Sequence, residues 1–355
     1  MKFIHCSDIH LDSRMEHNLP AHQARERNAE ICATFSRLAS YASEHHVTAV
    51  IIAGDLFDSQ RITARTVGFV LDTVRSTPEV DFLYLRGNHD ASGFEGMELP
   101  DNFRMFDASW TYHRYGDVLI CGMDPRQEQW ENFHEELKLP EETVNIVVLH
   151  GQVSTQPGQE LIPLPKLKRK NIDYLVLGHI HSYQTGKLDD RGSWCYCGCL
   201  EGRGFDECGE KGFVLLDVEN HRVQTEFVPF SRRRMEEIQV DISELTTVSQ
   251  ILQAMEDASR NVPGENLVKF TLSGTYTLET QKDMPFLNKM LEGKFYFHKI
   301  KDESRLKIEK ETYEHDISLK GEFIRLVMAS DRTEEEKEQI ICCGIRALSG
   351  EEVQL

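Results

Sequence analysis

Four short stretches of this 355-residue chain carry the residue types of a metal site, and a fifth adds one more imidazole. Asp8-Ile9-His10, Gly54-Asp55, Gly87-Asn88-His89-Asp90 and Gly178-His179-Ile180-His181 offer carboxylates, an amide and imidazoles; His150-Gly151 supplies the last. Mixed nitrogen and oxygen donors without thiolates suit borderline divalent ions such as manganese, iron or zinc and argue against a structural zinc centre. Asp8, His10, Asp55, Asn88, His150, His179 and His181 are too many ligands for one ion but reasonable for two, with a carboxylate such as Asp55 bridging them. A single histidine at a strand end is ordinarily a hydrogen-bonded structural residue. Five such ends in one chain call for another explanation.

Each stretch terminates an apolar run: Phe3 to Cys6, Val50 to Ala53, Phe82 to Leu85, Ile146 to Leu149 and Tyr174 to Leu177. These read as buried strands, and an open α/β sheet builds its site outside the carboxyl ends of its strands. Between the first three, Gln23 to His45 (Ile31, Phe35, Leu38, Tyr41) and Thr63 to Val74 (Val67, Val70, Leu71) have helical spacing, which gives β-α-β-α-β. Met97 to Trp110 reads as an irregular loop, broken by Pro100 and Asp101-Asn102. Val118 to Gly122 continues the strands. Trp194 to Cys197, Gly212 to Leu216 and Val223 to Val228 follow without long helices, as expected for a second, more antiparallel sheet packed on the first.

The ordered set Asp8-x-His10, Gly54-Asp55, Gly87-Asn88-His89-Asp90, His150 and Gly178-His179-x-His181 resembles the calcineurin-like metallophosphoesterases. Ser7 to Leu11, Gly54 to Asp58 and Leu200 to Phe205 are similar in wording to the bacterial SbcD-type nuclease branch. The ligand motifs cover about the first half of the chain. The resemblance implies a two-sheet β-sandwich flanked by helices, an α/β fold with metals at the sandwich edge. It implies two divalent ions, with manganese expected and magnesium, iron or zinc as alternatives. One ion would be held by Asp8, His10, Asp55 and His181, the other by Asp55, Asn88, His150 and His179. A metal-bridging hydroxide would attack phosphorus in line, with His89 as the catalytic residue at the leaving oxygen. Asp58 stands where some nuclease relatives have histidine, and Asp58 and Asp90 are candidates to orient imidazoles from behind. His5, inside the first strand, reads as a core histidine. Arg203 and Phe205 are candidate DNA contacts.

Composition is that of an ordinary globular protein, 40% hydrophobic and 28% charged. No apolar run reaches membrane-spanning length, and the N-terminus goes straight into a core strand rather than a signal peptide. With nine cysteines, reduced thiols in the cytoplasm are expected. The net charge of −19 speaks against a generic DNA-coating protein, although Lys166 to Lys170 and Arg232 to Arg234 are candidate basic patches. Alternation puts Cys195, Cys197 and Cys199 on one strand face, a poor tetrahedral geometry, so they read as small buried apolar residues.

Residues 1–234 form the expected nuclease domain, 235–315 a small α+β module and 316–355 a helical hairpin. Thr247 with Gln250 reads as a capping box, and a last helix is expected to open at Asp331 with Glu334 in the capping position. The resemblance makes the module a capping domain that shapes the DNA path, and the hairpin a dock for an SbcC-like ABC-type ATPase. It also implies a homodimer through helices near the site. The function that the resemblance implies is a DNA exonuclease and endonuclease of 3′-to-5′ action. A small-substrate phosphodiesterase or phosphatase is the alternative.

Overall fold

Continuous β-branched and aromatic runs become parallel strands, and the helices between them cover one face. The computed structural model describes residues 1–15, 19–58, 62–90, 94, 96–124, 129–156, 158–308 and 313–348. The chain divides into two units, Met1–Met235 and Glu236–Leu355.

In the first unit, Lys2–Cys6 (β1), Ala21–Glu44 (α1), Ala49–Ala53 (β2), Ala64–Arg75 (α2) and Asp81–Leu85 (β3) alternate along the chain. Thr63 caps α2, its hydroxyl accepting from Thr66 N. Phe103–Met105 (β4) pairs in parallel with β3, inside the stretch expected to be irregular. Three residues are too few to show a period; what holds them is pairing and the stacking of Phe103 on Tyr84 at 5.8 Å.

Thr111–Tyr115 (β5), Val118–Gly122 (β6) and Val144–His150 (β7) begin a second sheet. A ribbon of Gln152–Ser154 (β8) and Leu161–Pro163 (β9) and a short helix, Leu164–Leu167 (α3), follow. Tyr174–Gly178 (β10), Gln184–Lys187 (β11) and Ser193–Tyr196 (β12) complete the second sheet in the order β11-β12-β10-β7-β6-β5. Its centre is parallel, and only the edge strands β5 and β11 run antiparallel. The antiparallel hairpin Gly212–Glu219 (β13) and Arg222–Pro229 (β14) joins the first sheet instead, at the free edge of β1. This corrects the expectation of a more antiparallel second sheet. Strands buried on both faces read as unbroken apolar runs and pair in parallel, whereas β13 satisfies the open edge of β1 through pairs such as Phe3 with Leu216.

Alternate residues of each strand meet between the sheets: Ile51, Ala53, Leu83 and Leu85 against Ile146, Val148, Tyr174 and Val176. On the outer face of the second sheet, Val147, Leu149, Leu175 and Leu177 pack with Trp130, Phe133 and Leu167. Phe35 and Leu38 of α1 and Val70 and Val74 of α2 are also buried. The result is two mixed sheets flanked by helices.

The second unit contains a three-stranded sheet of Met235–Asp241 (β15), Leu267–Ser273 (β16) and Phe297–Asp302 (β18). Thr275–Tyr276 (β17) pairs with Arg305–Leu306 (β19). Helix Val248–Ala258 (α4) opens with the Thr247–Gln250 capping box, and Met284–Leu291 (α5) packs with it over Val268, Phe270 and Leu272. Leu319–Met328 (α6) and Glu334–Leu348 (α7) share a small apolar cluster with Tyr313. The cap of α7 is not Asp331 with Glu334. The Thr333 hydroxyl accepts from Glu336 N at 3.2 Å, and the Glu336 carboxylate accepts from Thr333 N at 3.0 Å. Threonine two positions later offers the same reciprocal geometry, and the helix starts there. Residues 349–355 of the expected hairpin lie outside the described residues.

Candidate metal centre

The site is built at the carboxyl ends of β1, β2 and β3 in one sheet and β7 and β10 in the other. Backbone bonds lace the first two loops together: Asp8 N donates to Gly54 O and His10 N to Asp55 O, each at 3.0 Å. Asp8, His10 and Asp55 hold φ values of 50°, 51° and 51°, and His179 holds 106°. These left-handed conformations cost roughly 1–3 kcal/mol each and are over-determined by the surrounding pairing. Gly178 must be glycine, because a Cβ there would stand 1.8 Å from Ala53 O.

Two groups of converging donors emerge, Asp8 with His10 and the half-buried His181, and the buried Asp8, Asp55 and His150. Asn88 Oδ1 lies 2.9 Å from His150 Nε2 and 3.3 Å from His179 Nδ1, which brings all seven candidate ligands to one locus. Their protons can be assigned from their partners. His150 Nδ1 donates to Ala53 O at 2.9 Å, and His181 Nδ1 donates to Glu207 Oε1 at 2.7 Å. His10 Nδ1 lies 3.2 Å from Asp58 Oδ1 without the alignment of a hydrogen bond. When their rings are neutral, Nε2 of His150 and of His181 is then a bare acceptor. His10 Nε2 and His181 Nε2 nevertheless stand 3.2 Å apart, and His150 Nε2 aims at Asn88 Oδ1 and at Asp55 Oδ2, 3.4 Å away. Acceptors that converge on acceptors repel unless a proton or a metal ion lies between them, and this set of carboxylates, amide and imidazoles has the chemistry to hold a metal pair.

The electrostatics agree. Burial opposes charge on His150, but the Asp55 carboxylate outweighs it and pushes the imidazole up to about 9. Burial likewise opposes the Asp55 charge, and His150 and His10 hold it well below the usual carboxylate range. A proton on His150 takes the place of positive charge that a metal would supply.

His89 stands just outside this set, half exposed, its ring 5.3 Å from that of His10 and its Nδ1 3.8 Å from Asp58 Oδ1. Asp90 serves backbone rather than imidazole: its carboxylate accepts from Phe57 N at 2.8 Å, Gly87 N at 2.9 Å and Leu56 N at 3.2 Å, clamping two loops. Arg203, a candidate DNA contact from sequence, bonds Asp58 and Glu207, and Phe205 is half-buried in the same turn. Glu207 escaped the sequence reading. It lies 26 positions from His181, and no periodicity or motif spacing links them.

Cys195 and Cys197 face the core between the sheets, and among the described residues no cysteine joins a group able to hold a metal. His5 is fully buried, donating from Nε2 to Leu177 O at 3.1 Å, and burial lowers its pKa to about 3. The Arg232–Arg234 run is neutralised within the first unit: Arg232 and Arg233 pair with Glu30, and Arg234 with Glu210. No helix among the described residues is long and apolar enough to cross a membrane.

Imidazoles and carboxylates converging at the strand ends of a two-sheet α/β sandwich define a metal-dependent hydrolase with room for two ions. The chain belongs to the calcineurin-like phosphoesterase family, whose pattern matches residues 1–183, and that family uses a dinuclear metal site. It is similar to the metallophosphoesterase YhaO of Bacillus subtilis, 26% identical over 298 residues, 78% of this chain and 72% of YhaO. It is also similar to the DNA double-strand break repair protein Mre11 of Methanosarcina acetivorans, 24% identical over 77% of this chain and 46% of that one. The corresponding figures for Mre11 of Haloferax volcanii are 24%, 72% and 58%. The chain thus spans about half the length of these Mre11 relatives. Among solved structures, TT1561 of Thermus thermophilus is 16% identical with a TM-score of 0.42, covering 63% of this chain and 97% of that one.

Proposed function

We propose that the chain is a two-metal phosphodiesterase acting on DNA, an SbcD-like exonuclease and endonuclease of 3′-to-5′ polarity that works in DNA repair with an SbcC-like ATPase. The observation that carries the phosphodiester chemistry is the meeting of imidazole nitrogens of His10, His181 and His150 around Asp8 and Asp55, with His89 beside them. Asp8, His10, Asp55 and His181 hold one ion, and Asp55, Asn88, His150 and His179 the other, with manganese as the working metal. Bound there, two divalent ions neutralise phosphoryl charge and lower the pKa of a nucleophilic water. His89 approaches the leaving oxygen and donates a proton from Nε2, with its Nδ1 turned toward Asp58. Its half exposure suits a group that must meet a polymer at the surface. Similarity to Mre11 proteins at about 24% identity supports DNA as the substrate.

One observation favours a second reading, a small-substrate phosphodiesterase or phosphatase. The net charge is −19, and the Arg232–Arg234 run is spent on Glu30 and Glu210 rather than offered to a phosphate backbone. Degradation of end-labelled duplex DNA in manganese, beside His89→Asn and an EDTA control, separates the two. The DNA reading expects the wild type to cut and the variant to bind manganese without cutting. Hydrolysis of a small aryl diester with duplex DNA left intact, also when an SbcC-type ATPase and ATP are added, would turn the assignment to the second reading.

A further inference from the structure

The turn after β12 reaches back under the candidate metal centre. Glu207 Oε1 accepts from His181 Nδ1 at 2.7 Å, and the same oxygen accepts from Arg203 Nη2 at 2.9 Å. The other oxygen, Oε2, accepts from the backbone N of Arg203 at 2.7 Å. The second arm of the Arg203 guanidinium, Nη1, lies 3.2 Å from Asp58 Oδ1. That single Asp58 oxygen is also 3.2 Å from His10 Nδ1 and 3.8 Å from His89 Nδ1. The turn is itself fixed from α1. The fully buried Arg27 donates from Nη2 to Glu201 Oε2 and to Gly202 O, each at 2.9 Å, and Thr34 donates to Glu201 Oε1 at 2.7 Å.

We infer that Arg203, Glu207 and Asp58 form a positioning relay that sets the ring orientation and tautomer of His181 through Glu207, and that holds the Asp58 charge beside His10 and His89. The inference rests on the proposed metal site. Two carboxylates beside a dication site would otherwise turn inward as ligands or repel one another. A planar guanidinium with one arm on each holds both in place, Glu207 as acceptor for the His181 N–H, which leaves Nε2 of that ring toward the ion, and Asp58 as a charge beside His10 Nδ1. Lysine cannot bridge the same two oxygens, because its ammonium is a point charge without the fork. A glutamine at position 207 fails for a different reason. Both carboxylate oxygens of Glu207 face N–H donors, so either orientation of the amide turns its NH₂ toward one of them. His150 and Asn88 take their partners from Ala53 and from each other. The relay therefore acts on one ion of the pair.

Manganese titration of the full chain by calorimetry, with electron paramagnetic resonance to detect the exchange-coupled pair, tests this in Arg203→Lys and Glu207→Gln. Wild type should take up two ions. Each variant should keep one at near wild-type affinity and bind the other on the order of 10–100-fold more weakly, with loss of the coupled signal. General damage to the fold would weaken both ions together, and circular dichroism of the metal-free variants identifies that case. Two ions of unchanged affinity in the variants, or equal weakening of both, overturns the relay and leaves the metal site standing. A wild-type chain that binds no pair of ions overturns both readings.

Discussion

His150 carries the site's demand for positive charge most directly. Its proton is held by Asp55 to about 9, well above the ordinary imidazole value. A group whose folded value is raised contributes stability that is full below about pH 6.5 and lost as pH rises through about 9. The chelated chain should therefore lose thermal stability across that window, while the manganese-loaded chain, with the proton displaced, should not. Manganese binding at pH 7.5 should release about one proton, measured as a binding heat that varies with the ionisation enthalpy of the buffer. A heat independent of buffer would mean that no imidazole gives up a proton on binding. At this scale the sequence was informative where residue type alone decides chemistry: seven oxygen and imidazole donors at strand ends. It was silent on Glu207 and on the left-handed backbone of Asp8, His10, Asp55 and His179. Aspartate and histidine do not demand that conformation; the cross-loop bonds from Asp8 N and His10 N impose it.

At the level of elements, the centre depends on two sheets ending at the same height. Gly178 is the tightest joint: β10 pairs it with His150 of β7, and an added Cβ would meet Ala53 O at 1.8 Å and His150 Nδ1 at 2.8 Å. Gly178→Ala should push the β10 end away from β2, destabilise the fold by roughly 1–3 kcal/mol as overpacking does, and weaken manganese binding by more than that loss of stability alone would. Equal manganese affinity in a variant with a lowered melting temperature would show that the sheet ends can part without disturbing the ligands. The strands that make this joint were legible because burial on both faces leaves unbroken apolar runs. The short strand β4 and the edge strands β5 and β11 were not: β4 has three residues, and β5 and β11 are exposed or half-buried along their length, with no apolar run to mark them. The attachment of β13 and β14 to the first sheet was hidden for another reason, since pairing across more than 200 positions leaves no local mark.

For the whole molecule, each unit has its own apolar interior. The sandwich clusters draw on residues from Phe3 to Phe227, while those of the second unit draw on Ile238 to Ile345. Every candidate ligand lies in Met1–Met235. Ligand binding stabilises only what folds around the ligand: an ion at about 100 times its dissociation constant adds about 2.7 kcal/mol to the unit that holds it. For a unit of this size that corresponds to a rise on the order of 5–10 °C. Calorimetry of the full chain should therefore show two unfolding transitions, of which manganese raises one and EDTA lowers the same one, while the other stays in place. A single transition that moves as a whole would mean that the units unfold as one cooperative body. The metal centre would then be felt throughout the chain, and substitutions in the second unit could not be treated as remote from the chemistry.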